Sequence, residues 1–481
     1  MSEPTRYPLL IPDAGPAVGR DTVTSPYDGR SIAEVETSGL SHVDHALATA
    51  EKLYRDRANW LPIHQRIAIL ERAAEIMAEQ FETLAVGASE EGGKPLVDSR
   101  IEVGRAIDSV KLSTVELRTE QGHVIPMGGT PASANRVAFT RREPIGVVVA
   151  VSAFNHPLNL IVHQVATAVA AGCPVIVKPA GVTPLSCIRF VEILHEAGLD
   201  PRWCQVLIAD DNDVAEALVT DPRVAFFTFI GSARVGWMLR SKLAPGTRFA
   251  LEHGGAAPLI LAEDADLDAA LPLITKGGYY HAGQVCVSVQ RLYAHPAVAR
   301  PFADALAGSA RALVIGDPVD EVTEVGPLIR HKEVERIGEW VDEAVASGAE
   351  RLAGGDRLTE SLYPCTVLWN PPDDVRVSRE EIFGPVVCVY EYTAVDEAIE
   401  RANSLPYAFQ GAVFTASLDT ALQVFAGLDA SAIMVNDHTA FRIDGMPFAG
   451  LNQSGYGIGG IPYTMHDMTI EKMMVIKSPR L

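Results

Sequence analysis

Residues 1 to about 40 show no sustained apolar period. Pro4, Pro8, Pro12, Pro16 and Pro26, with a turn at Asp28-Gly29, predict an arm and short strands. From Ser41 the spacing becomes three and four, through Val43, Ala46, Leu47 and Ala50, which predicts a helix. A long segment of the same period runs from 62 to about 88 and stops at Glu91-Gly92-Gly93-Lys94-Pro95, and a third helix is predicted over 99–121. Alternation over 138–144 then leads into an unbroken apolar run over 145–151, the pattern of a strand buried on both faces.

Between 145 and 260 short apolar strands alternate with helices. Strands are predicted at 147–151, 175–177, 204–208, 225–229 and 249–251, and helices at 159–171, 184–197, 213–219 and 232–243. This βαβ order predicts a parallel sheet with right-handed crossovers and a ligand crevice at the carboxyl ends of its strands. Lys178 and Gly231-Ser232 fall just past two such ends. From about 256 to 430 a second α/β pattern follows, with strands at 258–261, 291–294 and 386–392 and helices at 298–313 and 332–348. Its joints, Gly254-Gly255, Gly316-Asp317-Pro318, Gly326-Pro327 and Gly354-Gly355, read as loops, and no internal repeat is present.

A length of 481 residues suits about three domain-sized units and a large core. Apolar residues at 48% and charged residues at 21% describe an ordinary globular protein. The net charge of −21, with no basic block, argues against nucleic-acid binding and against an anionic membrane. The acidic excess suits solubility more generally than it suits a cationic substrate. Cysteines 173, 187, 204, 286, 365 and 388 show no CxxC pairing, so no metal site and no disulfide framework is predicted, and a reducing compartment is expected. Met1-Ser2-Glu3-Pro4 lacks the basic and apolar regions of a leader, and the apolar run near 145–153 is far short of a membrane span. A cytoplasmic location is therefore expected.

Two positions suggest covalent chemistry. Cys286 follows the turn Gly283-Gln284-Val285, and Glu252 stands in Leu251-Glu252-His253-Gly254-Gly255, where a double glycine lets the backbone turn beside a cleft. A thiolate attacks a carbonyl carbon, and a carboxylate can activate water to release the acyl group. Taken alone, Cys286 also reads as a small buried hydrophobe. Gly231-Ser232-Ala233-Arg234-Val235-Gly236 is neither GxGxxG nor a P-loop, yet it suits a helix start whose free amides face a phosphate.

These sites are interleaved with Phe154-Asn155-His156-Pro157-Leu158, Val175-Ile176-Val177-Lys178-Pro179, Phe229-Ile230-Gly231-Ser232, Glu381-Ile382-Phe383-Gly384-Pro385 and Pro447-Phe448-Ala449-Gly450 with Ser454-Gly455. In this order they resemble the aldehyde dehydrogenase superfamily, from roughly residue 20 to the C-terminus. The resemblance implies an α/β fold with a Rossmann-type cofactor domain (1–123 and 144–253) and an α/β catalytic domain (254–435). It also implies a small β oligomerisation flap (124–143 and 464–481) and a return segment (436–463) that carries an active-site loop. A homodimer or homotetramer follows, with the strand at 475–477 joining the 137–143 hairpin.

The same resemblance implies Cys286 as nucleophile, Asn155 with the Cys286 amide as oxyanion donors, and Glu252 as the base for deacylation. It implies NAD or NADP as cofactor, held by Lys178, Gly231, Ser232, Val235, Glu381 and Phe383. Relatives that form acyl-CoA typically lack the glutamate, so Glu252 favours hydrolysis to the free acid. Gly181 stands where NAD-preferring members often carry a glutamate. Losing that carboxylate removes its repulsion of a 2′-phosphate, so acceptance of NADP is expected.

Gly457-Ile458-Gly459-Gly460 departs from the Gly-Arg-Glu-Gly of many relatives, and the tail Gly460-Ile461-Pro462-Tyr463-Thr464-Met465 resembles members acting on small hydroxylated or anionic aldehydes. By the same alignment His156, Leu160 and His163 line the substrate tunnel, where enzymes for fatty or aromatic aldehydes place aromatic residues. Both histidines also read as packing residues. Arg442 lies on the loop that closes the tunnel and suits a carboxylate, phosphate or sulfonate; a solvated arginine or a salt bridge to Asp444 is the other reading. Val285 replaces an arginine common in enzymes for phosphorylated aldehydes. The expected substrate is therefore a short hydroxylated or singly anionic aldehyde, with aromatic or aliphatic oxidation, CoA acylation and cofactor binding without turnover as the alternatives.

Overall fold

Residues 5–119, 122–209 and 211–481 are described in the computed structural model of the chain. The reading of the N-terminus at 1–4 and the predicted helix end at 120–121 lie outside the described residues. No helix among the described residues is long and apolar enough to cross a membrane.

The unbroken apolar run becomes the strand Val147–Val151, at the centre of a six-stranded sheet. Val148 and Ala150 face one apolar core while Val147, Val149 and Val151 face another, because successive side chains of a strand point to opposite sides. Each valine withdrawn from water contributes about 2 kcal/mol. The sheet runs Gly455–Tyr456, Arg248–Glu252, Val224–Ile230, Val147–Val151, Val175–Lys178, Cys204–Val206. All pairs are parallel except the first, where Leu251 lies opposite Tyr456 and Glu252 opposite Gly455. Strand order reverses direction on either side of Val147–Val151, so the crevice opens where the segment Phe154-Asn155 leaves that strand for the helix Asn159–Ala171.

A seven-stranded sheet carries the second core. Its order is Glu350–Ala353, Thr366–Trp369, Val386–Glu391, Val289–Ala294, Ala257–Leu261, Gln410–Phe414, Ala432–Val435. Only the first of these strands is antiparallel to its neighbour. Glu350–Ala353, Thr366–Trp369, Gln410–Phe414 and Ala432–Val435 were not predicted.

Two boundaries differ in kind from the sequence reading. The periodic segment from 62 to 88 is two helices, Ile63–Glu79 and Phe81–Gly92, because the backbone of Gln80 (φ −106°, ψ 19°) leaves the helical region. Buried Leu84, Ala85 and Ala88 keep the apolar spacing going across the break, so the pattern conceals it. The terminal strand is longer than expected: Thr469–Lys477 pairs antiparallel with the whole of Arg136–Pro144, with Val124–Ile125 on the far side. Met473, Met474, Val475 and Ile476 on that strand are exposed.

Candidate active site

Cys286 lies in the turn that enters Val289–Ala294, closed by the Ser288 N–H on the Val285 carbonyl at 3.0 Å. His281 and Ala282 before it adopt left-handed φ of 48° and 54°, a conformation that costs about 1–2 kcal/mol per residue, so packing must hold them. Gln284 supplies part of that hold: its amide donates to the Pro327 carbonyl at 3.2 Å and accepts from Ile329 N–H at 2.9 Å. Of the six cysteines only Cys286 is not fully buried. Val285, Val287, Phe409 and Phe448 pack around it. Burial pushes its thiol up to about 12; Arg442 works against that shift, and Glu381 and Glu252 add to it.

Asn155 reaches the same turn from the other sheet, its Nδ2 donating to the Gln284 carbonyl at 3.0 Å. One amide hydrogen is thereby committed, which orients the second. The Asn155 carbonyl accepts from Lys94 Nζ at 3.2 Å, and Lys94 pairs with Glu102 in full burial. Glu102 also accepts from the N–H groups of Leu158 and Asn159, at 3.0 and 2.9 Å, so a helix start and the amide are tied to one carboxylate.

Glu252 ends the strand Arg248–Glu252. Burial raises its carboxyl above the ordinary range, and Arg442 pulls it back. Two residues on, a Cβ at Gly254 would stand 1.6 Å from Glu381 Oε1, so only glycine lets that carboxylate approach. Glu381 Oε1 accepts from Gly255 N–H at 3.1 Å, and burial raises its carboxyl to about 7. Phe383, at φ 49°, meets Phe154 edge to face with ring centroids 5.9 Å apart.

The residues expected to hold a dinucleotide line the strand ends. Lys178 closes Val175–Lys178; among the described residues its Nζ donates only to the adjacent Pro179 carbonyl (3.1 Å), and burial lowers its pKa. Gly231 donates to the Glu252 carbonyl at 3.1 Å. Ser232 begins the helix Ala233–Arg240, which includes Val235, without a side-chain cap, so its first amides remain free for an anion. A Cβ at Gly181 would meet nothing within 4 Å. A cation, uncapped helix amides and a buried carboxylate form a donor set that fits a dinucleotide.

A charged network surrounds Asp444. Arg105, on the helix Leu96–Thr119, makes a two-pronged bond to Asp444 at 2.8 and 3.0 Å. His163 Nε2 donates to Asp444 Oδ1 at 2.7 Å. Burial lowers His163 to about 4, so it is neutral at pH 7 and its Nδ1 faces Arg442 Nη2 at 3.5 Å. Asp444 is thus shared by Arg105 and His163, and Arg442 makes no ion pair among the described residues. Arg442 lies 3.6 Å over the Phe448 ring, with its Nε buried and without a partner. It is neither the solvated arginine nor the Asp444 partner of the alternative reading. His156 donates to or accepts from Tyr280 Oη at 2.9 Å, and burial keeps its pKa well below the ordinary value.

Arg105 and the Lys94–Glu102 pair were not singled out from the sequence, and Asp444 was considered only as a partner of Arg442. A signal was present: Asp98, Glu102, Arg105 and Ser109 recur at three and four on the inward face of one helix, where an ordinary amphipathic helix is apolar.

The model of the aldehyde dehydrogenase family matches residues 17–474. The chain is 38% identical over 454 residues to a 3-sulfolactaldehyde dehydrogenase of Priestia aryabhattai, covering 94% of each chain. Among solved structures it superposes on aldehyde dehydrogenase 21 from Physcomitrella patens, in complex with the reaction product succinate. That match has a TM-score of 0.95 and 33% identity, over 99% of both chains. It also superposes on a glyceraldehyde-3-phosphate dehydrogenase from Methanocaldococcus jannaschii complexed with NADP, with a TM-score of 0.91 and 33% identity, over 96% of this chain and 100% of that one. The fold, the ordered motifs and these likenesses agree: the chain belongs to the aldehyde dehydrogenase family, NAD(P)-dependent oxidoreductases acting on aldehydes.

Proposed function

We propose that the protein oxidises a small aldehyde bearing an anionic or hydroxyl group to its free acid, with Cys286, Asn155 and Glu252 as the catalytic residues. The observation that carries the substrate class is Arg442, a cation that has no carboxylate partner among the described residues and whose charge reaches both Cys286 and Glu252. A guanidinium held flat on Phe448 suits a carboxylate or sulfonate, which would supply the missing partner. Two neighbours named above, a sulfolactaldehyde enzyme and one crystallised with succinate, act on or release such anions.

Cys286 Sγ adds to the aldehyde carbon as its proton passes to solvent water. Asn155 Nδ2 and the Cys286 N–H stabilise the oxyanion. Bound NAD or NADP supplies the hydride acceptor, with Lys178, Gly231, Ser232, Val235, Glu381 and Phe383 as its holding residues. Glu252 then takes a proton from water as the water attacks the thioester carbon, and as the C–S bond breaks that proton passes to Cys286 Sγ, releasing acid and thiol. The open position at Gly181 supports acceptance of NADP.

In this reading residues 1–123 and 144–253 form the cofactor domain, 254–435 the catalytic domain and 436–463 the return over the active site. The exposed apolar side chains of Thr469–Lys477 support an oligomerisation flap and a homodimer or homotetramer. The test is initial rates with NAD and NADP against succinate semialdehyde, lactaldehyde, glycolaldehyde, hexanal and benzaldehyde. A preference for hexanal or benzaldehyde overturns the substrate class. Thioester formed with added CoA overturns the free-acid product.

A further inference from the structure

Lys94 stands in the short turn between the helices Phe81–Gly92 and Leu96–Thr119, and its side chain and that of Glu102 are fully buried. Two charges taken out of water are a weak source of stability, and the best-attested use of such a pair is to fix one arrangement among several. Here the arrangement is that of Asn155. Among the described residues the Asn155 main-chain carbonyl accepts only from Lys94 Nζ, and the segment that follows is short of donors because Pro157 has no N–H. Glu102 takes up the next two, the N–H groups of Leu158 and Asn159, so the cation and its carboxylate grip the chain on both sides of that proline.

These contacts close into a ring. Lys94 Nζ donates to the Asn155 carbonyl at 3.2 Å, Asn155 Nδ2 to the Gln284 carbonyl at 3.0 Å, and Gln284 Nε2 to the Pro327 carbonyl at 3.2 Å. Pro327 returns to the start: a Cβ at Gly93 would stand 2.8 Å from Pro327 Cγ, and one at Gly326 would stand 2.0 Å from the Gly93 carbonyl oxygen. Two loops meet that closely only where side chains are missing. The ring ties the segment after Val147–Val151 of the first sheet to the turn before Val289–Ala294 of the second. Lys94 is its one charged member.

We infer that this ring positions the oxyanion donor, and that Lys94 is its charged link, a positioning residue that sets where the free N–H of Asn155 Nδ2 points relative to Cys286 Sγ. The inference rests on Asn155 as the oxyanion donor. One Asn155 amide hydrogen is spent on the Gln284 carbonyl, so the direction of the other follows from the amide plane. That plane is held at both ends, by Gln284 on the side chain and by Lys94 on the main chain. A donor misplaced by about 1 Å loses much of its hold on a developing charge, a loss on the order of a hundredfold in rate. Lys94 touches no reacting atom.

The experiment is single turnover with enzyme in excess, using the most active aldehyde and cofactor of the panel above and following reduced cofactor by stopped flow. The proteins are wild type, Lys94→Met/Glu102→Gln, Gln284→Met and Asn155→Ala, with the first two sets of changes also rebuilt in Asn155→Ala. Replacing both members of the pair leaves no buried charge alone, and Gln284→Met opens the ring at another link without touching a charge. Each ring variant should lower the rate constant at saturating enzyme by about ten- to hundredfold, with the cofactor dissociation constant within twofold of wild type. In the Asn155→Ala background the same changes should alter the rate by less than twofold, since no amide is left to aim. Equal falls in both backgrounds overturn the inference, because a merely loosened fold slows the reaction whether or not Asn155 is present. A wild-type rate in Lys94→Met/Glu102→Gln overturns it too, and if that protein does not fold, Gln284→Met decides. If Asn155→Ala itself reacts within twofold of wild type the oxyanion assignment has failed; if Asn155→Ala is slow and neither ring variant is, the ring alone has failed.

Discussion

On the proposed cofactor side of Cys286 the contacts run from side chain to backbone, Lys178 to the Pro179 carbonyl and Glu381 to the Gly255 N–H, beside the uncapped helix start at Ser232. On the substrate side they run from side chain to side chain across hundreds of residues. Arg105 and His163 meet on Asp444, 339 and 281 positions away in sequence. Strand ends present their backbone to the crevice whatever the side chains are, so the first surface suits a cofactor common to many substrates. The second surface depends on each charge finding its partner in a partly desolvated site, so changing one residue changes what is accepted.

The largest break comes at the shared centre. Cys286→Ala should lower kcat by at least about a thousandfold while leaving the dissociation constant for NADP, measured by fluorescence titration, within twofold. The next tests the electrostatics between the two sides. With the thiol raised to about 12, the thiolate fraction rises with pH throughout the working range. Alkylation of Cys286 by iodoacetamide in the free enzyme should therefore quicken by about tenfold per pH unit between 7 and 9. Arg442→Met removes the cation that lowers the thiol, so alkylation should slow in that variant; an unchanged rate would detach Arg442 from Cys286.

Smaller and more selective is the effect of Arg442→Met on turnover. Loss of a hydrogen bond to a charged group, about 1.5–3 kcal/mol, predicts a ten- to hundredfold fall, by about that factor, in kcat/KM for succinate semialdehyde. For propanal the change should be less than about threefold. Equal losses for both aldehydes would mean that Arg442 shapes the loop and does not read an anion. The mildest change is on the cofactor side: Gly181→Glu should shift the NADP/NAD ratio of kcat/KM toward NAD by about tenfold, with little effect on aldehyde preference.

The first sheet was legible because its central strands are apolar on both faces and the stretches between them carry a helical period. The run at 145–151 and the alternation to 260 carry the topology, and with it the crevice beside Asn155, Lys178 and Ser232. Cys286, Glu252 and Asn155 stood out through motifs quoted in order, and the structure draws Asn155 to the carbonyl of Gln284, two residues before the cysteine. The second sheet was half legible: three of its seven strands were read, and Glu350–Ala353, Thr366–Trp369, Gln410–Phe414 and Ala432–Val435 were not.

Local sequence therefore determined where strands end, where helices begin and which residue types stand at those ends, because periodicity, glycine and proline act over a few residues. Only the tertiary structure decided how the charges pair. The sequence offered Asp444 to Arg442, two residues away, but folding brings Arg105 and His163 to Asp444 and leaves Arg442 against Phe448. Likewise Gly459 reads as a departure in a motif until its missing side chain is seen to be the room that Glu252 fills. Both outcomes depend on distances between segments far apart in the chain, and no local pattern encodes those distances.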